Sequence, residues 1–365
     1  MLGRIPWFCV ALLLSAGALA AQTEPTLQGP AVSQFFGSYD PGQKRPGYPS
    51  RALRRDDTTP WLFEPRKSDA PVLRIGVLLP NSPQNDPAWQ PVITGMTEEA
   101  ARNSVQLLLR VSDGYDAVDQ HRGQFSDLVA EKPDAIILAS IHYRAMDDLI
   151  AAASKSQPGP IIGLVNDIFA PAISGKAMVS FTDMGQAVGA YVKQNAQSRS
   201  MDKIRVAFFP GPINAGFAPD SLYGFVDELR DFPGEFELIE PQWGATEPGV
   251  QRALVEEMLS TYSRVDYIVG NGVAAVEAAK LLETMGLADE IMVLSTYASP
   301  PVRQMLEQGR IAAAPSDRGA VLGQLAIQLT LQKIADPAGN APFRIAPHVV
   351  LCTQQTLRSQ MGTHC

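Results

Sequence analysis

Short unbroken apolar runs alternate along this chain with longer stretches whose apolar positions recur every third or fourth residue. Val72–Leu79 (VLRIGVLL) is the clearest run. It lies between Ala70-Pro71 and Pro80 and reads as a strand buried on both faces. A polar loop follows, and then helix-period sequence near Ala88–Asn103. The pattern continues with Val105–Val111 and a helix near Ala117–Lys132, then Asp134–Ala139 and a helix near Ala145–Lys155. Strands at Ile161–Val165 and Ala177–Phe181 come next, and a long helix near Met184–Ala196 ends in polar SRSMDK.

A second series starts there. Ile204–Phe209 precedes a helix near Pro219–Arg230, Phe236–Ile239 one near Pro248–Tyr262, and Asp266–Val269 one near Val273–Met285. Ile291–Leu294 precedes a short helix near Pro301–Glu307. Ile311–Ala314 precedes one near Gly319–Ile334, and Phe343–Leu351 is a last extended piece. Strands alternating with helices predict parallel sheets covered on both faces. Right-handed crossovers put the strands' carboxyl ends on one edge of each sheet, where such sheets bind ligands. The expected fold is therefore α/β, with two Rossmann-like lobes and a ligand cleft between them. The expected division is 71–183 plus 316–342 for the first lobe and 184–315 plus 343–365 for the second.

The residues ahead of the first lobe differ. Arg4, the apolar Pro6–Gly17 and the small-x-small Ala18-Leu19-Ala20 form a secretory signal over residues 1–21, cleaved after Ala20 or Ala21. The apolar run is short for a membrane span, so no membrane insertion is expected after cleavage. Residues 22–70 lack periodicity but carry Phe35, Phe36, Tyr39, Tyr48, Trp61 and Phe63. Two readings stand: a disordered leader, or an arm wrapped onto the body or a partner. Export would leave Cys352 and Cys365 as an even pair in an oxidising compartment, either bonded or as two free thiols.

Composition narrows the function. Of the 365 residues, 45% are hydrophobic, which fits a globular chain, and a net charge of −8 gives nucleic acid no electrostatic support. Gly270-Asn271-Gly272-Val273-Ala274-Ala275 fits G-x-G-x-x-A, but a tight strand-to-helix turn accounts for it, and no cofactor is expected. Pro210-Gly211-Pro212-Ile213-Asn214-Ala215-Gly216 lacks the Lys and Ser/Thr of a phosphate loop and suits a small-ligand or hinge loop. His121, His142, His348 and His364 are isolated, with no zinc spacing and no G-x-S-x-G elbow, so neither metal nor catalysis is expected.

Polar and aromatic residues instead gather at strand ends. Asp86, Asn166, Asp167, Asn271 and Asp317 fall there, with Asn214 in its own strand-end loop. Trp89, Tyr115, Tyr143, Phe181 and Tyr297 accompany them. Singly, each suits packing or capping. Together they form a ligand-lining set: rings suit apolar or cationic groups, and carboxylates suit hydroxyls or positive charge.

DPAWQPVITGMTEEAAR, SDGYDAV, DAIILAS, IIGLVNDIFAP, PGPINAG, GVAAVEAAK and GRIAAAPSD, between about Arg74 and Leu331, resemble a type I periplasmic binding protein. This two-lobed group includes the ribose-binding proteins. Within it the chain most resembles the branch that senses trimethylamine N-oxide. The resemblance implies a periplasmic small-ligand binder that docks on the periplasmic domain of a sensor histidine kinase. The alternative is a solute-binding component that delivers a sugar or similar solute to an ABC permease. It further implies cage positions at Trp89, Tyr115 and Tyr297, with Asp86 and Asp317 at the rim. Leu79 and Phe181 stand where relatives carry Tyr and Trp. The Asp-Arg clamp of sugar binders is replaced by Asn166-Asp167-Ile168, and no Arg stands at Gly216 or Phe217.

Overall fold

The structure, a computed structural model, describes residues 29–35, 58–337, 339, 341–359 and 365; the secretory leader and its cleavage site lie outside them. The amino-terminal segment contributes β1 (Ala31–Phe35) and β2 (Thr59–Pro60). The first lobe runs β3 (Leu73–Leu79), α1 (Trp89–Arg102), β4 (Val105–Val111), α2 (Val118–Ala130), β5 (Ala135–Leu138), α3 (Asp147–Ser156), β6 (Ile161–Leu164) and β7 (Gly175–Ala177). Then α4 (Phe181–Ser198) enters the second lobe. That lobe holds β8 (Lys203–Phe209), α5 (Phe217–Leu229), β9 (Glu235–Leu238), α6 (Pro248–Thr261), β10 (Tyr267–Gly270), α7 (Gly272–Met285), β11 (Met292–Ser295), α8 (Pro300–Glu307) and β12 (Ala313–Ser316). The chain closes with α9 (Gly319–Ala335), β13 (Arg344–Pro347), β14 (Val350–Thr353) and α10 (Gln354–Leu357).

Two sheets result, in the orders β2-β1-β13-β7-β6-β5-β3-β4 and β14-β12-β11-β10-β8-β9. The β3–β7 and β8–β12 ladders are parallel. In β3 the alternation of side chains sends Ile75, Val77 and Leu79 into the core beneath α1 and α9, and Leu78 into the core beneath α2 and α3. Burial on both faces explains why this strand reads as an unbroken apolar run.

Two local differences from the sequence reading have identifiable causes, and one open reading is decided. The predicted strand at Ala177–Phe181 forms earlier, as β7, because the Ser180 side chain accepts the Asp183 backbone N–H at 3.2 Å and starts α4 at Phe181. The tail does not stay in the second lobe. Arg344–Pro347 pairs in parallel with β7 in the first sheet, and only Val350–Thr353 pairs with β12 in the second. The segment ahead of the first lobe is, where described, an arm. β1 lies antiparallel on β13, Val32 and Trp61 are buried, and the Trp61 indole donates to Gln328 Oε1 at 2.7 Å. Phe36, Tyr39 and Tyr48 lie outside the described residues.

The main helix pairs meet at glycines. A Cβ on Gly95 of α1 would overlap the Ala320 carbonyl, and one on Gly323 of α9 the Val92 carbonyl. In the second lobe a Cβ on Gly185 of α4 would overlap the Ser221 carbonyl, and one on Gly224 of α5 the Thr182 carbonyl. Both seams thus bring helix backbones into contact.

Cys352 and Cys365 are disulfide-bonded, with 5.7 Å between their Cα atoms and a sequence separation of 13. Cys352 sits in the second lobe's core, so the bond holds the tail against β12 and α8. Closing a loop of this size restricts the unfolded chain by about 3 kcal/mol. Reduction, or Cys352→Ser, should lower the calorimetric melting temperature by several degrees. An unchanged melting temperature would show that the bond adds nothing to stability.

Candidate ligand site

The cleft residues are set by the loops at the strands' carboxyl ends. After β3, the Asp86 carboxylate accepts the Ala88 backbone N–H at 3.1 Å, an Asp-type turn that launches α1 with Trp89 as its first residue. After β4, Gly114 takes φ +116°, a conformation that favours glycine, and its N–H reaches the Pro80 carbonyl at 3.0 Å. Tyr115 follows it into the cleft. After β6, Val165 holds φ +58°, and after β12, Arg318 holds φ +53°. A left-handed conformation is costly for a β-branched valine, and strain of this kind gathers at functional sites. Each strained residue adjoins a polar cleft residue, Asn166 or Asp317.

From the second lobe come Phe217, the first residue of α5, and Tyr297, which follows β11; Phe181 opens α4. Gly272 gives Tyr297 its room, because a Cβ there would lie 2.5 Å from the ring. The G-x-G stretch therefore admits an aromatic side chain. Phe217 is the hub of the rings, with its centroid 5.5 Å from Tyr115, 5.8 Å from Phe181 and 6.2 Å from Tyr297, the last edge-on.

These residues enclose a cavity of about 30 Å³, lined by Asp86, Ala88, Trp89, Val92, Tyr115, Val165, Asn166, Phe181, Phe217, Tyr297 and Asp317. Among the described residues, the hydrogen bonds that join the lobes around it include these. The Tyr297 hydroxyl donates to the Asp86 carboxylate, 3.3 Å from each oxygen. The Tyr143 hydroxyl donates to the Gly216 carbonyl at 3.0 Å, and Asn81 Nδ2 to Thr246 Oγ1 at 3.3 Å.

The lining holds two carboxyl groups and neither Lys nor Arg. Burial pushes the Asp86 carboxyl up to about 6, against the lowering effect of the Ala88 N–H and the Tyr297 hydroxyl, and nearby Asp317 pushes it further in the same direction. Burial also pushes Asp317 up to about 6, opposed by its own backbone N–H and that of Gly319. Burial, and then the Asp86 charge, raise both Tyr115 and Tyr297, so each stays a neutral phenol.

Seven of the predicted residues meet at this cavity: Asp86, Trp89, Tyr115, Asn166, Phe181, Tyr297 and Asp317. Three do not. Asp167 turns away to a buried ion pair with Lys176, Nζ to Oδ1 2.5 Å. Asn271 caps α7 by accepting the Val273 and Ala274 N–H groups at 3.0 and 3.1 Å. Asn214 is solvent-exposed. Leu79 is buried in the first lobe's core and is not among the residues lining the cavity. Phe217 is the aromatic that the sequence reading missed. Its signal was position: it follows PGPINAG, where a sugar clamp would carry Arg. His121 is structural, buried with Nδ1 2.8 Å from Ser112 Oγ, and burial lowers it to about 4.

Residues 75–338 match the model of the periplasmic binding protein domain. The chain belongs to the periplasmic binding protein family. It is 30% identical to periplasmic protein TorT of Escherichia coli K12 over 268 residues, which are 73% of this chain and 75% of TorT. Among solved structures, an ABC transporter solute-binding protein from Bradyrhizobium sp. BTAi1 with bound Bis-Tris superposes with TM-score 0.70 at 24% identity, covering 92% of this chain and 94% of that one. TorT in complex with the TorS sensor domain in the presence of TMAO gives TM-score 0.66 at 23% identity, covering 79% and 94%. Membership of the periplasmic binding protein family places this chain in the periplasm as a ligand binder. Among the described residues no helix is long and apolar enough to cross a membrane.

Proposed function

We propose that this periplasmic binding protein, exported by its leader, clasps a small methylated amine or amine oxide such as trimethylamine N-oxide. In this reading it signals the clasped state to the periplasmic domain of a sensor histidine kinase. The observation that carries the reading is the cage: five aromatic side chains and two carboxyl groups from both lobes around one small cavity, with no basic side chain. A ring face attracts an alkylated nitrogen cation by roughly 0.5–2 kcal/mol, more as water is excluded. A cavity of about 30 Å³ suits a solute of a few heavy atoms better than a pyranose. The likeness to TorT supports the kinase as partner.

The Tyr297–Asp86 bond spans the lobes at the cage, so a solute held there touches both. It shifts an open–closed equilibrium by its preference for the closed form. A thermal-shift screen of methylamines, amine oxides and sugars tests the ligand class, since a solute that binds only the folded protein raises its melting temperature. Methylamines or amine oxides should register and sugars should not; a sugar-only response would sink the reading. For the partner, a ligand-dependent complex with a kinase periplasmic domain is expected in gel filtration.

One observation favours a second reading, delivery of solute to an ABC permease. The ABC solute-binding structure from Bradyrhizobium covers 92% of this chain, more than the 79% covered by the TorT complex. Binding to a permease, with no binding to a kinase domain, would decide for it.

A further inference from the structure

Resting on the small-amine reading above, we propose that the cage selects a protonated amine that keeps at least one N–H, over an amine oxide or a quaternary ammonium. Most donors around the cavity are already spent on protein partners: the Trp89 indole on the Tyr115 hydroxyl and the Asn166 amide on Ser140 and Tyr115. Asp86 offers two carboxylate oxygens, with only the Ala88 N–H and the Tyr297 hydroxyl directed at them. Asp317 adds a second carboxyl, half-buried at the rim. The Tyr297 hydroxyl hydrogen is already committed to Asp86.

Asn166 is the decisive group. Its Nδ2 donates to the Ser140 carbonyl at 2.8 Å and to the Tyr115 hydroxyl oxygen at 3.4 Å. Only the amide N–H can face the Ser140 carbonyl, so the Ser140 contact fixes which way the amide points. Its Oδ1 is left buried, in a residue 2% exposed that lines the cavity, without a hydrogen-bond partner. A buried acceptor left unmatched is costly, and a ligand that supplies the missing donor recovers that cost.

Each solute class meets this set differently. An amine oxide brings a bare acceptor oxygen, which the Tyr115 hydroxyl is placed to receive, the Trp89 indole N–H being directed at that hydroxyl, and which two carboxylates repel. A quaternary ammonium satisfies the charge and the rings but has no hydrogen for Oδ1. A protonated tertiary or secondary amine satisfies all three: N–H to Oδ1 or Asp86, positive charge to both carboxylates, methyl groups to the rings. Alkylammonium groups hold their proton to about pH 10, so the cation is the form present near neutrality.

The test is isothermal titration of the exported chain at pH 7.5 with trimethylammonium, tetramethylammonium, trimethylamine N-oxide and D-ribose. Trimethylammonium should bind at least tenfold more tightly than the other three. In Asn166→Leu, checked for folding by circular dichroism, the preference over tetramethylammonium should shrink to about threefold or less. Equal or tighter binding of the N-oxide or of tetramethylammonium overturns the inference and leaves the small-amine reading standing. Binding of ribose alone, or of none of the four, overturns both. An unchanged preference in folded Asn166→Leu overturns the assignment to Asn166.

Discussion

Asp86→Asn should make the ligand-free protein melt at a higher temperature at pH 7.5, while weakening trimethylammonium binding about 30-fold or more. The two effects share one cause. Folding moves the Asp86 carboxyl from 3.8 to about 6, chiefly through burial. A carboxyl raised by folding contributes stability that is complete below the unfolded value and is lost as pH rises through the folded one. Above pH 6 the ionised group therefore works against the fold. The shift of about 2 units corresponds to roughly 3 kcal/mol as an upper bound. Asparagine carries no charge, and its oxygen still accepts the Ala88 N–H and the Tyr297 hydroxyl. The gain in melting temperature should vanish near pH 4, where wild type is protonated as well. The binding loss follows from removing a buried counter-charge, worth about 2–5 kcal/mol. Calorimetry at pH 4 and 7.5, with titration at pH 7.5, checks both halves. A lower melting temperature at pH 7.5 would make Asp86 a plain structural cap, and unchanged affinity would take it out of the site.

Gly224→Leu should destabilise the second lobe by at least about 3 kcal/mol, the upper range for overpacking a tight contact. At this position α5 touches the backbone of α4 at Thr182, and α4 leans back through Gly185 onto Ser221. A leucine has no cavity to enter, so the helices must part along the seam. Phe217 and Phe181, at the amino ends of those helices, would shift with them, so affinity should fall together with stability. The melting temperature should drop by roughly 6–12 °C on the usual scaling. Exposed Gly123 of α2 is the control: a Cβ there meets nothing within 4 Å, and Gly123→Ala should gain about 0.5–1 kcal/mol. If Gly224→Leu melts with wild type, the helix contact is not as close as described.

The two lobes were legible because parallel strands buried on both faces write themselves as apolar runs, and β3 and β10 are examples. The cage was legible where the chemistry is unusual for a strand end: Asp86 and Trp89 inside DPAW, Tyr115 after a turn glycine, Tyr297 after β11. It failed where one residue type serves two purposes. Asn271 and Asn166 both follow strands, yet one caps a helix and the other faces the cavity, and only three-dimensional context separates them. Asp167 looked like a ligand because its partner Lys176 lies in another strand. Phe217 was passed over because a phenylalanine opening a helix is usually core. The tail was misplaced because β13 and β14, separated by His348 and Val349, read as one extended piece although they serve different sheets.

The arm laid along β13 has a consequence for the protein's solubility. Without it, β13 would be a border strand with unpaired N–H and C=O groups, a template on which another chain can add. β1 occupies those groups, and β2, only two residues long and ending in a proline, presents little for a further chain to extend. The amino-terminal segment thus acts as a selvedge, and displacing it would invite aggregation through the first sheet.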